Sequence, residues 1–346
     1  MPDCFSQDSE QSGNFEGKLM KAIIYEKYGP PDVLQLEEVE KPVCKENEVL
    51  VKVHAASINA ADWHLLTADI FLIRLMGMGF FKPKNKFIGA DVAGRVEAVG
   101  KNVKGFQPGD AVFGDVFGHS GGSFAEYVSV PESALVLKPS NVSFEEAAAV
   151  PLAAVTALQG LRDEGHIQPG QKVLINGASG GVGTFAVQIA KSYGAEVTAV
   201  CSTRNLEMVR SLGADHVIDY KKEDFTQNGQ RYDLILAVNG YHPLSAYKRA
   251  LTPQGTYVMA GGKPAQMFQA LLLGPWMSEK GGRKMGALSA KTNQKDLLAI
   301  KELLEAGKIV PVIDDCYPLS KTAEAFRYFE KAHAKGKVVI VVEQNN

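Results

Sequence analysis

The sequence predicts an α/β protein of two lobes, one a doubly wound parallel sheet, the other strand-rich and barrel-like. Three observations carry this. Residues 173–183 read Val-Leu-Ile-Asn-Gly-Ala-Ser-Gly-Gly-Val-Gly and run into the helical pattern Thr184–Lys191, which makes a buried strand, a glycine turn and a helix start. From about Pro139 strand-like and helix-like stretches alternate, as in a parallel sheet with helices on both faces. Before that point, clusters of β-branched residues are separated by turn signals.

Taken in order, Met1–Leu19 is polar and without an apolar core, which predicts a mobile, disordered tail and no secretory signal. Strands are expected at Lys21–Tyr25, Glu48–His54 and Ala93–Val99. The turns Tyr28-Gly-Pro-Pro31 and Phe106-Gln-Pro-Gly-Asp110 punctuate them. Ser143-Phe-Glu-Glu146 is a capping box opening an Ala-rich helix through Gly160. Strand Lys172–Asn176, a helix to Tyr193, strand Glu196–Val200, helix Leu206–Leu212 and strand His216–Asp219 follow. Next come strand Leu234–Val238, a helix near Leu244–Leu251 and strand Thr256–Ala260. Arg283–Ala290 is expected as an edge strand and Asn293–Ala306 as a closing helix. Gly336–Val342 is a strand returning to the first lobe. The resulting division is a tail at 1–19, one lobe from 20–138 and 312–346, and the parallel-sheet lobe at 139–311.

At 346 residues the chain can bury two cores. A net charge of −2 gives nucleic-acid binding no electrostatic support. Cys4, Cys44, Cys201 and Cys316 are scattered, so they read as free thiols in a reducing compartment, and a cytoplasmic location is expected. The apolar stretches Ile70–Phe81 and Met267–Trp276 are far shorter than the roughly 20 residues of a membrane span. They read as pocket walls or a subunit interface.

The turn carries the chemistry. Ala178, Gly180 and Gly183 fall in an A-x-G-x-x-G spacing, with Ser179, Gly181 and Val182 between them. A small first residue permits the tight turn, Gly180 admits a pyrophosphate, and Gly183 lets helix and strand pack closely. The helix N-terminus favours the phosphates' negative charge. A nicotinamide cofactor is the expected ligand. Where an NAD site places an acidic residue on the ribose, the chain reads Cys201-Ser202-Thr203-Arg204-Asn205, with no carboxylate in the run. Ser202 and Thr203 hydroxyls and the Arg204 guanidinium suit a 2′-phosphate, so NADPH is expected.

Gly89-Ala-Asp-Val-Ala-Gly94, Gly105-Phe-Gln-Pro-Gly-Asp-Ala-Val112, Gly122-Ser-Phe-Ala-Glu-Tyr-Val128 and Ala147-Ala-Ala-Val-Pro-Leu152 precede the cofactor turn in series. With it, they resemble the medium-chain dehydrogenase/reductase superfamily over essentially Met20 to Val342. The resemblance implies a GroES-like substrate domain built from both chain ends, a Rossmann domain between, and an active site in the cleft. Zinc-dependent relatives carry Cys where this chain has Asn59 and His-Glu where it has Ala90-Asp91, so no zinc is expected. Asn59-Ala-Ala-Asp62 and Ile218-Asp219-Tyr220 are closest to the zinc-free quinone oxidoreductase and enone reductase branch, in which Pro is common where Ala60 stands.

That branch implies hydride transfer from NADPH to a quinone or an α,β-unsaturated ketone or aldehyde, whose conjugation accepts charge without a metal. Asn59 is expected to aim its amide at the cleft floor, or else to serve as a turn residue. His64 is expected to meet a ribose hydroxyl or shuttle a proton, or to sit on a helix face. Thr156 matches a position near the nicotinamide, or bonds back to a helix carbonyl. Asn239, Gly261 and Gly262 are expected beside the nicotinamide and Tyr220 beside the adenosine phosphate. Lys337 is expected to reach the cofactor or to be a solvated edge lysine. A homodimer is implied through the element at 283–290. The rival readings are an enoyl-thioester reductase and a catalytically weak NADPH-binding sensor or structural protein.

Overall fold

A computed structural model describes residues 19–68, 79–119, 122–262, 264–331 and 334–343. The expected tail therefore lies outside the described residues except for Leu19, as does the stretch from Ile70 to Met78 of the apolar segment.

The chain opens with β1 (Leu19–Ile24), paired antiparallel with β2 (Gln35–Glu40). The strands β3 (Glu48–Ile58), β4 (Asp91–Val99), β5 (Ala111–Asp115), β6 (Tyr127–Pro131) and β7 (Leu135–Leu137) follow. β2 reads Gln-Leu-Glu-Glu-Val-Glu and is mostly exposed, so no apolar run announces it. After β7, Ser143 Oγ accepts the Glu146 N–H at 3.1 Å and opens the helix Phe144–Ala148. The continuous helix expected to Gly160 is corrected at this point. Pro151, without an N–H to continue the ladder, starts a second helix, Pro151–Gln159, which passes into a π-turn at Gly160–Glu164.

The parallel sheet consists of β8 (Lys172–Asn176), β9 (Glu196–Cys201), β10 (His216–Asp219), β11 (Tyr232–Ala237), β12 (Leu251–Met259) and β13 (Lys284–Ala287). Its order is β10-β9-β8-β11-β12-β13, parallel throughout, with helices Gly181–Ser192, Leu206–Ser211 and Leu244–Ala250 as crossovers. It is a Rossmann sheet. β13 is the expected edge strand, and the helix Pro264–Met277 packs beside it. Helix Gln294–Glu305 follows, its N-cap Asn293 accepting the Asp296 N–H.

The chain then returns to the first lobe. β14 (Ile313–Pro318), a strand the sequence pattern does not announce, lies parallel to β15 (Lys337–Val341), with helix Thr322–Glu330 between them. β15 pairs antiparallel with β3, giving the order β14-β15-β3-β4-β5-β7 with β6 also on β3. One core joins the lobes: Ala55, Ala93, Phe113 and Val339 of the β-lobe pack with Ala147–Val150, Val155, Phe185 and Val197. The Pro151–Gln159 helix, buried at every position but Leu152, is the shared wall.

Candidate active site

The strand order reverses between β8 and β11, and open parallel sheets hold ligands outside the carboxyl ends of strands at such a switch point. The glycine turn leaves β8 there. The Asn176 carbonyl accepts the Val238 and Asn239 N–H groups at 2.9 and 3.1 Å, so the two strand ends are tied together. The turn glycines answer to different constraints. A Cβ on Gly183 would lie 2.1 Å from the Gly177 carbonyl oxygen and 2.7 Å from Ala178 Cα, so only glycine lets this helix sit on this strand. Around Gly180 a Cβ would meet a single atom, the Gly177 oxygen at 3.7 Å. That open cradle, at the N-terminus of a 12-residue helix, fits a dinucleotide pyrophosphate. Ala178 is fully buried, and Ser179 Oγ accepts from Asn205 Nδ2 at 2.9 Å. Gly181 and Val182 begin the helix. Gly336 N–H donates to the Ser179 carbonyl at 2.9 Å, pinning the turn to the strand end that carries Lys337.

At the end of β9, Ser202 is buried and Thr203 and Arg204 are exposed. Tyr220 is more than half exposed. The expectation of a strand end without a carboxylate is corrected: β10 lies parallel to β9 with Asp219 opposite Cys201, and Thr203 Oγ1 donates to Asp219 Oδ2 at 2.6 Å. This bond holds the Asp219 carboxyl below its usual range, as do the Lys221 N–H and the charges of Lys221 and Lys222. The carboxylate comes from the neighbouring strand, where a search along β9 cannot see it.

The opposite end of the cleft is floored by buried charge. Asn59 precedes the helix Ala60–Thr67, and its backbone N–H donates to Asp62 Oδ2 at 2.8 Å. With Asp62 serving as the cap, the Asn59 side chain turns inward. Its Nδ2 donates to Asp91 Oδ2 at 2.8 Å and to the Ser57 carbonyl at 3.4 Å, and its Oδ1 accepts from Lys337 Nζ. Lys337 Nζ also reaches Asp91 Oδ2 at 3.2 Å, and Asp91 further accepts from Ser57 Oγ and the Leu152 N–H. Asp91 and Lys337 are 0% and 3% exposed. Lys337 is therefore no solvated edge lysine: β15 is interior to its sheet and the ammonium is wholly inside. Burial, together with the charge of Asp91, pushes the Asp62 carboxyl up to about 7.

Between the two ends lies a cavity of about 730 Å³, lined by Asn59, Thr156, Val182, Asp115 and apolar residues such as Leu152, Ala260 and Leu288. Thr156 Oγ1 donates back to the Leu152 carbonyl at 2.6 Å. Asn239 follows β11, and Gly261 and Gly262 follow β12 at the same sheet edge, Gly262 with φ +113°. His64 is half-buried on the helix Ala60–Thr67 and is not among the described residues lining the cavity. Sequence reasoning missed Asp115. Its signal is the register of two strands, which sets Asp115 opposite Asp91.

The donor set at the floor does not fit zinc. The Asp91 carboxylate is already taken by an amide and an ammonium, and no group of three or more metal-ligating side chains occurs among the described residues.

Residues 45–140 match the alcohol dehydrogenase GroES-like domain and residues 212–340 the zinc-binding dehydrogenase domain. A chloroplastic quinone oxidoreductase of Triphysaria versicolor is 35% identical, covering 94% of this chain and 99% of that protein. The 2-methylene-furan-3-one reductase of Solanum lycopersicum is 39% identical over 93% of this chain and 79% of its own length. The structure of a quinone oxidoreductase from Coxiella burnetii superposes with a TM-score of 0.83 at 29% identity, covering 94% of this chain and all of that one. The chain belongs to the medium-chain dehydrogenase/reductase superfamily, in its zinc-independent branch related to quinone- and enone-reducing oxidoreductases. The cytoplasmic expectation is corrected: relatives matching 93–94% of the chain are chloroplastic or mitochondrial. Scattered cysteines, on which that expectation rested, do not distinguish cytosol from any other reducing compartment.

Proposed function

We propose that this protein is an NADPH-dependent, zinc-independent reductase that delivers hydride to a quinone or an α,β-unsaturated ketone or aldehyde. The carrying observation is the large, mainly apolar cavity between a dinucleotide turn and a floor of buried charge. It suits a flat conjugated acceptor, and a relative from Arabidopsis thaliana, 37% identical, is named an NADPH-dependent alkenal/one oxidoreductase.

The bound nicotinamide supplies the hydride. Gly180 gives the pyrophosphate its approach, the following helix N-terminus faces it, and Ser202, Arg204 and Tyr220 hold the adenosine phosphate end, the Thr203 hydroxyl being engaged by Asp219. Thr156, Asn239, Gly261 and Gly262 border the nicotinamide. Asn59 closes the floor and, through its Oδ1, ties the Lys337 charge to the cavity edge. From behind that floor the buried charge, shared with Asp91, opposes the negative charge developing on the acceptor oxygen.

A second copy of the chain is assigned to the helix Pro264–Met277 and the free edge of β13. On that helix Leu271, Leu272 and Trp276 are 60%, 64% and 89% exposed. Leu272→Glu should then give monomers in sedimentation.

The deciding assay is acceptor-dependent oxidation of NADPH at 340 nm by chelator-treated protein, with NADH in parallel. Chelator-resistant turnover faster with NADPH is expected. Tight NADPH binding without turnover against any quinone, enone or enal would replace this reading with a sensor or structural role.

A further inference from the structure

Hydride addition to an enone leaves a charged intermediate that must still acquire a proton on carbon, and no group described so far supplies one. Asn59 has its amide engaged by Asp91, Ser57 and Lys337, and His64 is off the cavity lining. The titratable side chains that do line the cavity are Asp115, His119 and Lys291. Of these, Asp115 alone is buried, at 8% exposure. It ends β5 directly opposite Asp91 in the neighbouring strand, and its Oδ1 is fixed by the Phe117 N–H at 2.8 Å.

We propose that Asp115 is the acid of the cleft, protonating the α-carbon of the enolate formed from an enal or enone. The inference rests on the reductase reading above. The reduced nicotinamide would supply the hydride, with its electron pair, for the β-carbon–hydrogen bond. The alkene π pair moves toward the carbonyl, giving the enolate. The Asp115 O–H bond then breaks, the α-carbon–hydrogen bond forms, and Asp115, left as carboxylate, regains a proton from water.

The surroundings hold the acid in reserve. Burial and the negative charge of Asp91 push the Asp115 carboxyl up to about 6, against the opposing effects of the Thr292 hydroxyl, the Phe117 N–H bond and the charge of Lys337. The groups that face it are Asp91 on β4, Lys337 on β15, Asp62 on the helix Ala60–Thr67, and His119 and Lys291 on the cavity wall. Asp91 is committed to Lys337, Asn59 and Ser57, which leaves Asp115 as the carboxyl that can exchange its proton with a ligand. A quinone makes no such demand, because its reduced oxygen is protonated directly by water.

The test is the configuration of a product. α-Methylcinnamaldehyde gains a stereocentre at the protonated carbon, so wild-type protein should give one enantiomer in excess. Asp115→Asn, which keeps the bond to the Phe117 N–H, should lose at least about 10-fold in turnover of this enal and give racemic product. The same variant should lose more turnover with this enal than with 1,4-naphthoquinone, whose reduced oxygens take their protons from water. Should the variant not fold, the wild type decides. Its enantiomeric excess at pH 5 must collapse by pH 9, and a protonated-carboxyl infrared band of the free protein must titrate near pH 6. An unchanged excess in Asp115→Asn, or across that pH range, overturns the inference. A wild type that binds NADPH but turns over none of the quinones, enones and enals instead overturns the function on which it rests.

Discussion

The two ends of the cleft are built on opposite plans. At the phosphate end, six consecutive residues, Ala178 to Gly183, make a cradle from backbone alone, and what matters is the absence of side chains. At the floor, Asn59, Asp91, Asp115 and Lys337 come from four separate parts of the chain, and what matters is which charges meet. Lys337 and Asn59 are 278 residues apart in sequence, yet share a buried hydrogen bond. A contiguous backbone site survives or fails by sterics. A dispersed charged site depends on every strand holding its register.

The largest expected effect comes from unpairing the floor. Lys337→Met leaves the Asp91 carboxylate buried without its cation and should cost about 3–5 kcal/mol in urea denaturation. Lys337→Met/Asp91→Asn should recover a substantial part of this. A single variant as stable as wild type would mean that the charge of Asp91 is balanced elsewhere.

Next is the pH dependence of the same floor. Asp62 has a folded-state value of about 7, above its unfolded value near 4, so the folded protein binds the extra proton in between. This group's contribution to stability therefore falls as pH rises from about 4 to 7. Asp62→Asn, which still accepts the Asn59 N–H, should be more stable than wild type at pH 8 by about 2–4 kcal/mol. At pH 4 the two should nearly coincide. Thermal melts that differ by the same amount at both pH values would contradict the assignment.

At the phosphate end the two glycines should separate stability from binding. Gly183→Ala forces a Cβ into the Gly177 carbonyl and should lose about 1–3 kcal/mol of stability together with cofactor binding. Gly180→Ala has room in the free protein, so its melting temperature should match wild type while NADPH binding weakens at least about 10-fold. Fluorescence titration reads the difference, and undiminished affinity in Gly180→Ala would move the pyrophosphate off this turn. The smallest effect is expected at Arg204→Ala: about 10-fold weaker NADPH, close to 1.4 kcal/mol, with NADH unchanged.

Much of the fold was legible because its signals are local. The strand–turn–helix at 173–192, the capping box at Ser143 and the alternation after Pro139 each arise from residues close in sequence. The misses have equally physical causes. β2 is too polar to show a period, and one proline divides a helix whose alanines look continuous.

The sequence by itself determined the two-lobed α/β plan, the glycine turn and the loss of the zinc-ligating side chains, since each is carried by the identity or the immediate neighbours of single residues. Only the tertiary structure decided that Asp219 meets Thr203, that Lys337 lies inside against Asp91 and Asn59, and that Asp115 enters the cleft. Those contacts depend on strand order and register, which bring together residues that no spacing along the chain relates.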